Sequence, residues 1–161
     1  MRYRDCPTVE VSERVDATPE AVWALVTDIS LPLRHSAELR EVEWVEGAEV
    51  AVGNRFRGRN EDPRFGQWQT ESVIVEVEPL RRWVYDVQGP DGPVATWGFE
   101  VDPGQGAVTV RQWARMGPAK SRLSAAIESM AEKEGRIIAR RLRDWETGIR
   151  ANLAWVKERL A

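Results

Sequence analysis

The sequence predicts an α+β fold, a mainly antiparallel sheet followed by one long helix. Three observations predict it. Six successive segments between residues 39 and 116 alternate apolar and polar residues with the period of a strand, turn residues separate them, and the last 40 residues change to a period of three to four.

Taken in order, residues 8–16, TVEVSERVD, set Val9, Val11, Glu13 and Val15 against Glu10, Ser12, Arg14 and Asp16. This is a half-buried strand with Glu13 on its apolar face. Thr18 can then cap a helix, Pro19 fits its first position, and Val22, Leu25 and Val26 form its apolar stripe. That helix stops near Asp28, and Pro32 limits residues 30–37 to a second short helix. Strands follow over 39–46, 53–61, 67–78, 81–88, 94–101 and 107–116. Glu46-Gly47, Asp62-Pro63, Gly89-Pro90-Asp91-Gly92 and Asp102-Pro103-Gly104 supply turns between them, so consecutive strands should join as antiparallel hairpins. In the tail, Ile138, Leu142, Trp145, Ile149, Leu153 and Val156 share one helix face. Ser129 with Glu132 forms a capping-box pattern, which predicts that the main helix begins there, after a looser turn from Ser121. About 30 helical residues span roughly 45 Å, enough to cross a sheet. Gly135 and Gly148 each cost about 1 kcal/mol relative to Ala, which predicts close approach or reserved space. A strongly curved sheet wrapped around such a helix leaves a hollow between the two.

Bulk properties exclude several classes. A chain of 161 residues suits one domain over 1–161. With 42% hydrophobic and 30% charged residues it has an ordinary globular composition, and no apolar run approaches the roughly 18 to 20 residues of a membrane span. No membrane insertion is expected. The N-terminus MRYRDCPTVEV lacks the apolar stretch of a secretory signal, and the single cysteine, Cys6, cannot form an internal disulfide, which favours a cytoplasmic location. Cys6 falls in a stretch expected to be loosely held and inert. A net charge of -3 argues against nucleic-acid binding, and IIARRLRD over 137–144 reads as a solvated helix face. One histidine, one cysteine and scattered carboxylates predict no metal site, and no cofactor is expected. His35, the sole histidine, is assigned to packing, surface or the mouth of a cavity. No Gly-x-Ser-x-Gly elbow, His-Glu-x-x-His, Cys-x-x-Cys or phosphate-binding glycine loop occurs. A monomer and a homodimer are equally compatible with the sequence.

The segments VDATPEAVWALVTD (15–28), SAELREVEWVEG (36–47), VGNRFRGRN (52–60), EPLRRWVYDV (78–87) and TWGFEVDPGQGAVTV (96–110), with the helical tail, cover nearly the whole chain. In order and spacing they resemble the SRPBCC superfamily, also called START-like or helix-grip proteins, in its polyketide cyclase/dehydrase branch. The resemblance implies a helix-grip fold: a curved seven-stranded antiparallel sheet wrapped around a long C-terminal helix, two short helices after the first strand, and a central cavity. Members use that cavity for lipids, plant hormones, polyketides or quinones, so the ligand is not fixed by the scaffold. Aromatase/cyclases of the superfamily use an arginine on the strand corresponding to 67–78 and a tyrosine near the second short helix. Here that strand reads QWQTESVIVEVE, with Val75 close to the arginine's position, and DISLPLRHSAE (28–38) has no tyrosine.

Strand alternation then assigns faces. Within VGNRFRGRN, Phe56, Gly58 and Asn60 should face the cavity while Arg55, Arg57 and Arg59 face solvent. Val73, Val75 and Val77 mark an apolar odd face that carries Gln69 and Glu71 inward unless a bulge intervenes. Trp83, Tyr85 and Val87, then Trp97, Phe99 and Val101, then Val108, Val110 and Gln112 should also point in. The candidate ligand-binding set is therefore Phe56, Asn60, Gln69, Val73, Val75, Trp83, Tyr85, Trp97, Phe99 and Gln112. Apolar walls with sparse polar points suit a small-molecule site. If Glu13 and Glu71 are buried, desolvation would raise their pKa values, and with Tyr85 they become candidate catalytic acids or bases; otherwise they lie at strand ends in water. The leading expectation is binding of a small hydrophobic or aromatic molecule, polyketide-like or lipid-like. Alternatives are a metal-free cyclase or dehydratase and a protein-interaction module.

Overall fold

Short hairpin connections dictate a meander. The computed structural model describes residues 1–161. Its elements are a 3-10 turn (Tyr3–Asp5), β1 (Thr8–Val15), α1 (Pro19–Val26), a second 3-10 turn (Leu31–Arg34), β2 (Leu39–Glu46), β3 (Arg55–Asp62), β4 (Gly66–Glu78), β5 (Arg82–Gly89), β6 (Gly92–Pro103), β7 (Val108–Met116), α2 (Arg122–Ser129), a third 3-10 turn (Ala131–Lys133) and α3 (Glu134–Arg159). The seven strands form one antiparallel sheet in the order β1-β7-β6-β5-β4-β3-β2. The segment containing α1 carries the chain from one sheet edge, β1, to the other, β2. This is the helix-grip fold.

Local chemistry accounts for the helices. The Thr18 hydroxyl accepts the Ala21 N–H at 3.1 Å, with Pro19 in the first helical position. At the other end of α1 the Val26 carbonyl accepts the Trp83 Nε1–H at 3.0 Å, which satisfies a helix-terminal carbonyl deep in the protein. The C-terminal helix starts later than its capping pattern predicts. Ser121, in a reciprocal box with Ser124, caps α2, and the Ser129 hydroxyl closes that helix by donating to the Ala126 carbonyl at 2.9 Å. Met130 then leaves helical geometry, so α3 runs 26 residues from Glu134, about 39 Å. The N-terminal stretch is held, not loose. Tyr3 is buried against Met116, Ile127 and Ile138, and its hydroxyl donates to the Ala119 carbonyl at 2.6 Å.

The face assignment in β4 is corrected by a bulge. Ile74 pairs with Tyr85 but Glu76 pairs with Val84, so Val75 is an extra residue; it stands 43% exposed. Before it the even residues point inward, with Ser72 and Ile74 buried; after it Val77 points inward opposite Trp83. Gln69, Glu71 and Val73 therefore belong to the convex face. A bulge inverts the phase of everything on one side of it, and the apolar run Val73-Ile74-Val75 contains both phases.

α3 lies over β1 and β7, where Ile149, Leu153 and Val156 pack with Val11, Val15, Val108 and Val110. It stands back from β3, β4 and β5. The concave face of the sheet is thus filled on one half only.

Candidate functional site in the concave half of the sheet

The open half is lined by side chains that the strands must point inward. On β3 these are Phe56, Gly58 and Asn60; on β4 Thr70, Ser72 and Ile74; on β5 Tyr85; on β6 Trp97. Phe56 meets Trp44 with ring centroids 5.8 Å apart and Tyr85 at 5.0 Å, both edge-on, so three rings form one aromatic wall. Trp97 reaches across to Trp145 of α3 at 5.0 Å and closes one side. Tyr85 and Trp97 stay half-buried, whereas Val110 and Ile149, under the helix, are sealed. Partial accessibility on an inward face means that the rings border a space.

The helix also leaves room at one position. A Cβ placed on Gly148 would meet nothing within 4 Å. One turn along, Trp145 and Asn152 are in contact with the sheet; Arg141 pairs with Glu38 just before β2, and Arg34 stacks over Trp155 at 4.3 Å. Gly148 lies on the flank turned toward β2 and the 3-10 turn at Leu31–Arg34. Of the two readings of this glycine, close approach is the one the structure excludes.

Polar groups in the hollow are few. Asn60 is 8% exposed, yet its amide makes no hydrogen bond within the chain. Nor do the hydroxyls of Thr70, Ser72 and Tyr85. The unpartnered polar side-chain atoms that are wholly sealed are Arg111 Nε and Trp113 Nε1, on the convex face, so the interior groups open on the hollow. Gly58 makes the gathering possible: its Cβ would lie 2.9 Å from Thr70 Oγ1 and 3.7 Å from Asn60 Nδ2, a distance no side chain would tolerate at the hydroxyl. Burial pushes the Tyr85 phenol upward, so it stays protonated.

Other sequence-predicted residues take different places. Trp83 and Phe99 stack at 5.8 Å inside the core, where they pack but do not line the hollow. Gln112 points inward but accepts the Asn152 amide at 3.0 Å, tying the sheet to α3. Glu71, on the convex face, bonds Arg57 at 2.9 Å with Arg55 at 3.7 Å; that hydrogen bond to Arg57 holds its pKa below the usual carboxylate value. Glu13 does lie on the concave side, but at the edge strand, where it accepts Lys157 Nζ at 2.9 Å. Neither glutamate is a buried, poised carboxylate. His35 is exposed. Thr70, Ser72 and Gly148 are the lining positions that alternation and helical periodicity did not select.

The β3–β4 hairpin closes one end. Asp62 receives Arg64 Nε at 3.2 Å, Arg64 reaches Asp144 of α3 at 2.7 Å, and Arg141 joins both Glu38 and Asp144. The Arg64 hydrogen bonds hold the Asp62 carboxyl below its usual range. At the other end a cleft of about 350 Å³ opens between α1 and the β2–β3 connection, lined by Trp23, Ile29, Trp44 and Val50. Trp44 belongs both to this cleft and to the aromatic wall. A cleft of about 380 Å³ on the convex face is lined by Arg81, Arg82 and Arg111 and by Glu78, Glu100 and Asp102, whose charges balance, and it is a polar surface feature.

This architecture matches a family model over residues 7–144, described as polyketide cyclase/dehydrase and lipid transport. The chain belongs to that family. It falls in the polyketide cyclase-like branch of the SRPBCC superfamily. The Polyketide_cyc-like protein Cgl2372 of Corynebacterium glutamicum superposes with a TM-score of 0.66 at 25% identity, over 93% of this chain and 88% of that one. BexL, a di-domain ARO/CYC protein of the BE-7585A biosynthetic pathway, gives 0.66 at 18% identity over 96% of this chain and 50% of BexL. TTHA0849 of Thermus thermophilus gives 0.56 at 16% identity, over 92% and 97%. At these last two identities the likeness is one of fold. Comparison with functionally curated proteins finds no match. No helix is long and apolar enough to cross a membrane.

Proposed function

We propose that the protein binds a small hydrophobic or aromatic molecule in the hollow between the β3–β6 inner face and α3. The observation that carries this reading is the unpartnered, buried Asn60 amide beside an aromatic wall of Trp44, Phe56 and Tyr85. An accessible amide with no partner in the chain is free to bond a ligand, and apolar walls with a few polar points are what a ligand of this class needs. Family membership supports the same reading. A cyclase reading requires groups that move protons at the ligand. With Glu71 and Glu13 outside the hollow, only Tyr85 remains, and its raised pKa makes it a poor acid or base near neutrality. Binding without chemistry is therefore the favoured function.

A tryptophan-fluorescence titration against aromatic polyketides, fatty acids, quinones and flavonoids tests it. Saturable quenching by one class, weakened in Tyr85→Ala, is expected. No saturable response to any class would count against the proposal.

A further inference from the structure

We propose that the hollow selects uncharged ligands: a flat aromatic molecule that presents a neutral carbonyl or hydroxyl to the Asn60 amide and the Thr70 hydroxyl, with carboxylates excluded. The inference rests on the binding reading above and names the ligand chemistry. Two independent features carry it.

The first is the polar station itself. Gly58 lacks a side chain, and both Thr70 Oγ1 and Asn60 Nδ2 lie within 4 Å of where its Cβ would be. An amide and a hydroxyl supply donors and acceptors but no charge. Both are free within the chain and open on the hollow, so a single neutral oxygen could be met by two groups.

The second is the charge balance around the rim. Most charged side chains that border the concave face already have an ionic partner. Arg141 pairs with Glu38 and Asp144, Arg64 with Asp62 and Asp144, and Lys157 with Glu13. The two arginines without a carboxylate partner are exposed on the rim, Arg34 over the Trp155 ring and Arg122 over the Trp68 ring beside the Phe65 and Gln67 carbonyls. A carboxylate carried in as far as Asn60 would exchange water for aromatic rings and two neutral donors without gaining a cationic partner, and a buried charge without a counter-ion costs far more than a hydrogen-bonded neutral oxygen.

The test uses three probes with one ring system: methyl 2-naphthoate, 2-naphthoate and naphthalene, titrated at neutral pH into the full chain and followed by 1H–15N NMR. The ester should bind at least about tenfold more tightly than the carboxylate, a difference that needs only ~1.4 kcal/mol. It should shift the Asn60 side-chain amide and the Trp97 and Trp145 indole signals. Thr70→Val and Asn60→Leu should each reduce the ester's advantage over naphthalene; Thr70→Val is nearly isosteric and keeps the test valid if Asn60→Leu fails to fold. Equal or tighter binding of the carboxylate at the same signals overturns the selection while leaving the binding reading intact. So does an ester advantage that survives both substitutions. Binding of none of the three overturns both.

Discussion

Gly148 offers the sharpest separation of stability from function. It sits inside a 26-residue helix, where a glycine costs about 1 kcal/mol relative to alanine. Nothing within 4 Å of its Cβ position would resist a side chain. Gly148→Ala should therefore raise the melting temperature by about 2–4 °C, the scale for 1 kcal/mol in a chain of this size, and leave ligand affinity little changed. Gly148→Leu should keep most of the stability gain, since leucine is a good helix former, yet lower ligand affinity at least about tenfold by occupying the space in front of the helix. Thermal melts by circular dichroism measure the first effect, and the fluorescence titration measures the second. Gly135→Ala, at the start of the same helix and also facing open space, is the control: a smaller gain with binding untouched. Two results would refute the reasoning. A Gly148→Leu protein that melts below the parent would mean the space is not open; one that binds like the parent would mean the space is not the ligand's.

Trp83→Phe keeps the ring in the core but removes the donor to the Val26 carbonyl, so urea denaturation should show a loss of about 1–3 kcal/mol. Tyr85→Phe should change stability little, because the phenol has no protein partner, and weaken any ligand that hydrogen-bonds to it; calorimetry on the two proteins compares both effects. Asp62 and Glu71 have folded pKa values below their ordinary 3.8 and 4.5, owing to Arg64 and Arg57. The unfolded chain therefore binds more protons in that range, and their stabilisation is present above the ordinary values and lost as pH falls through the folded ones. The urea midpoint should drop between about pH 5 and pH 3, and Asp62→Asn should flatten that dependence; an unchanged slope would argue against the Arg64 pairing.

Where the period was unambiguous, local pattern was enough. Seven strands and their hairpin order follow from alternation and turn residues, and the Arg55-Phe56-Arg57-Gly58-Arg59-Asn60 stretch puts its arginines out and Phe56, Gly58 and Asn60 in, because charge and burial leave no other phase. The long helix is equally legible from its apolar stripe. Its starting point is not, since Ser121 and Ser129 both offer capping chemistry and only the chain's path after Met130 chooses between them.

The tertiary structure decided which inward positions are walls and which are core. Trp83 and Tyr85 share a face two residues apart, but α1 seals the first while the second stays half-buried, a difference that depends on where α1 and α3 come to rest. It decided the fate of Glu71 too, because one bulged residue at Val75 inverts the phase of the preceding strand, and pairing partners rather than composition place a bulge. By itself the sequence determined the fold, through periodicities that each segment carries internally. The hollow, its neutral polar station over Gly58 and the open flank at Gly148 arise from distances between segments, and those exist only once the sheet has curved around the helix.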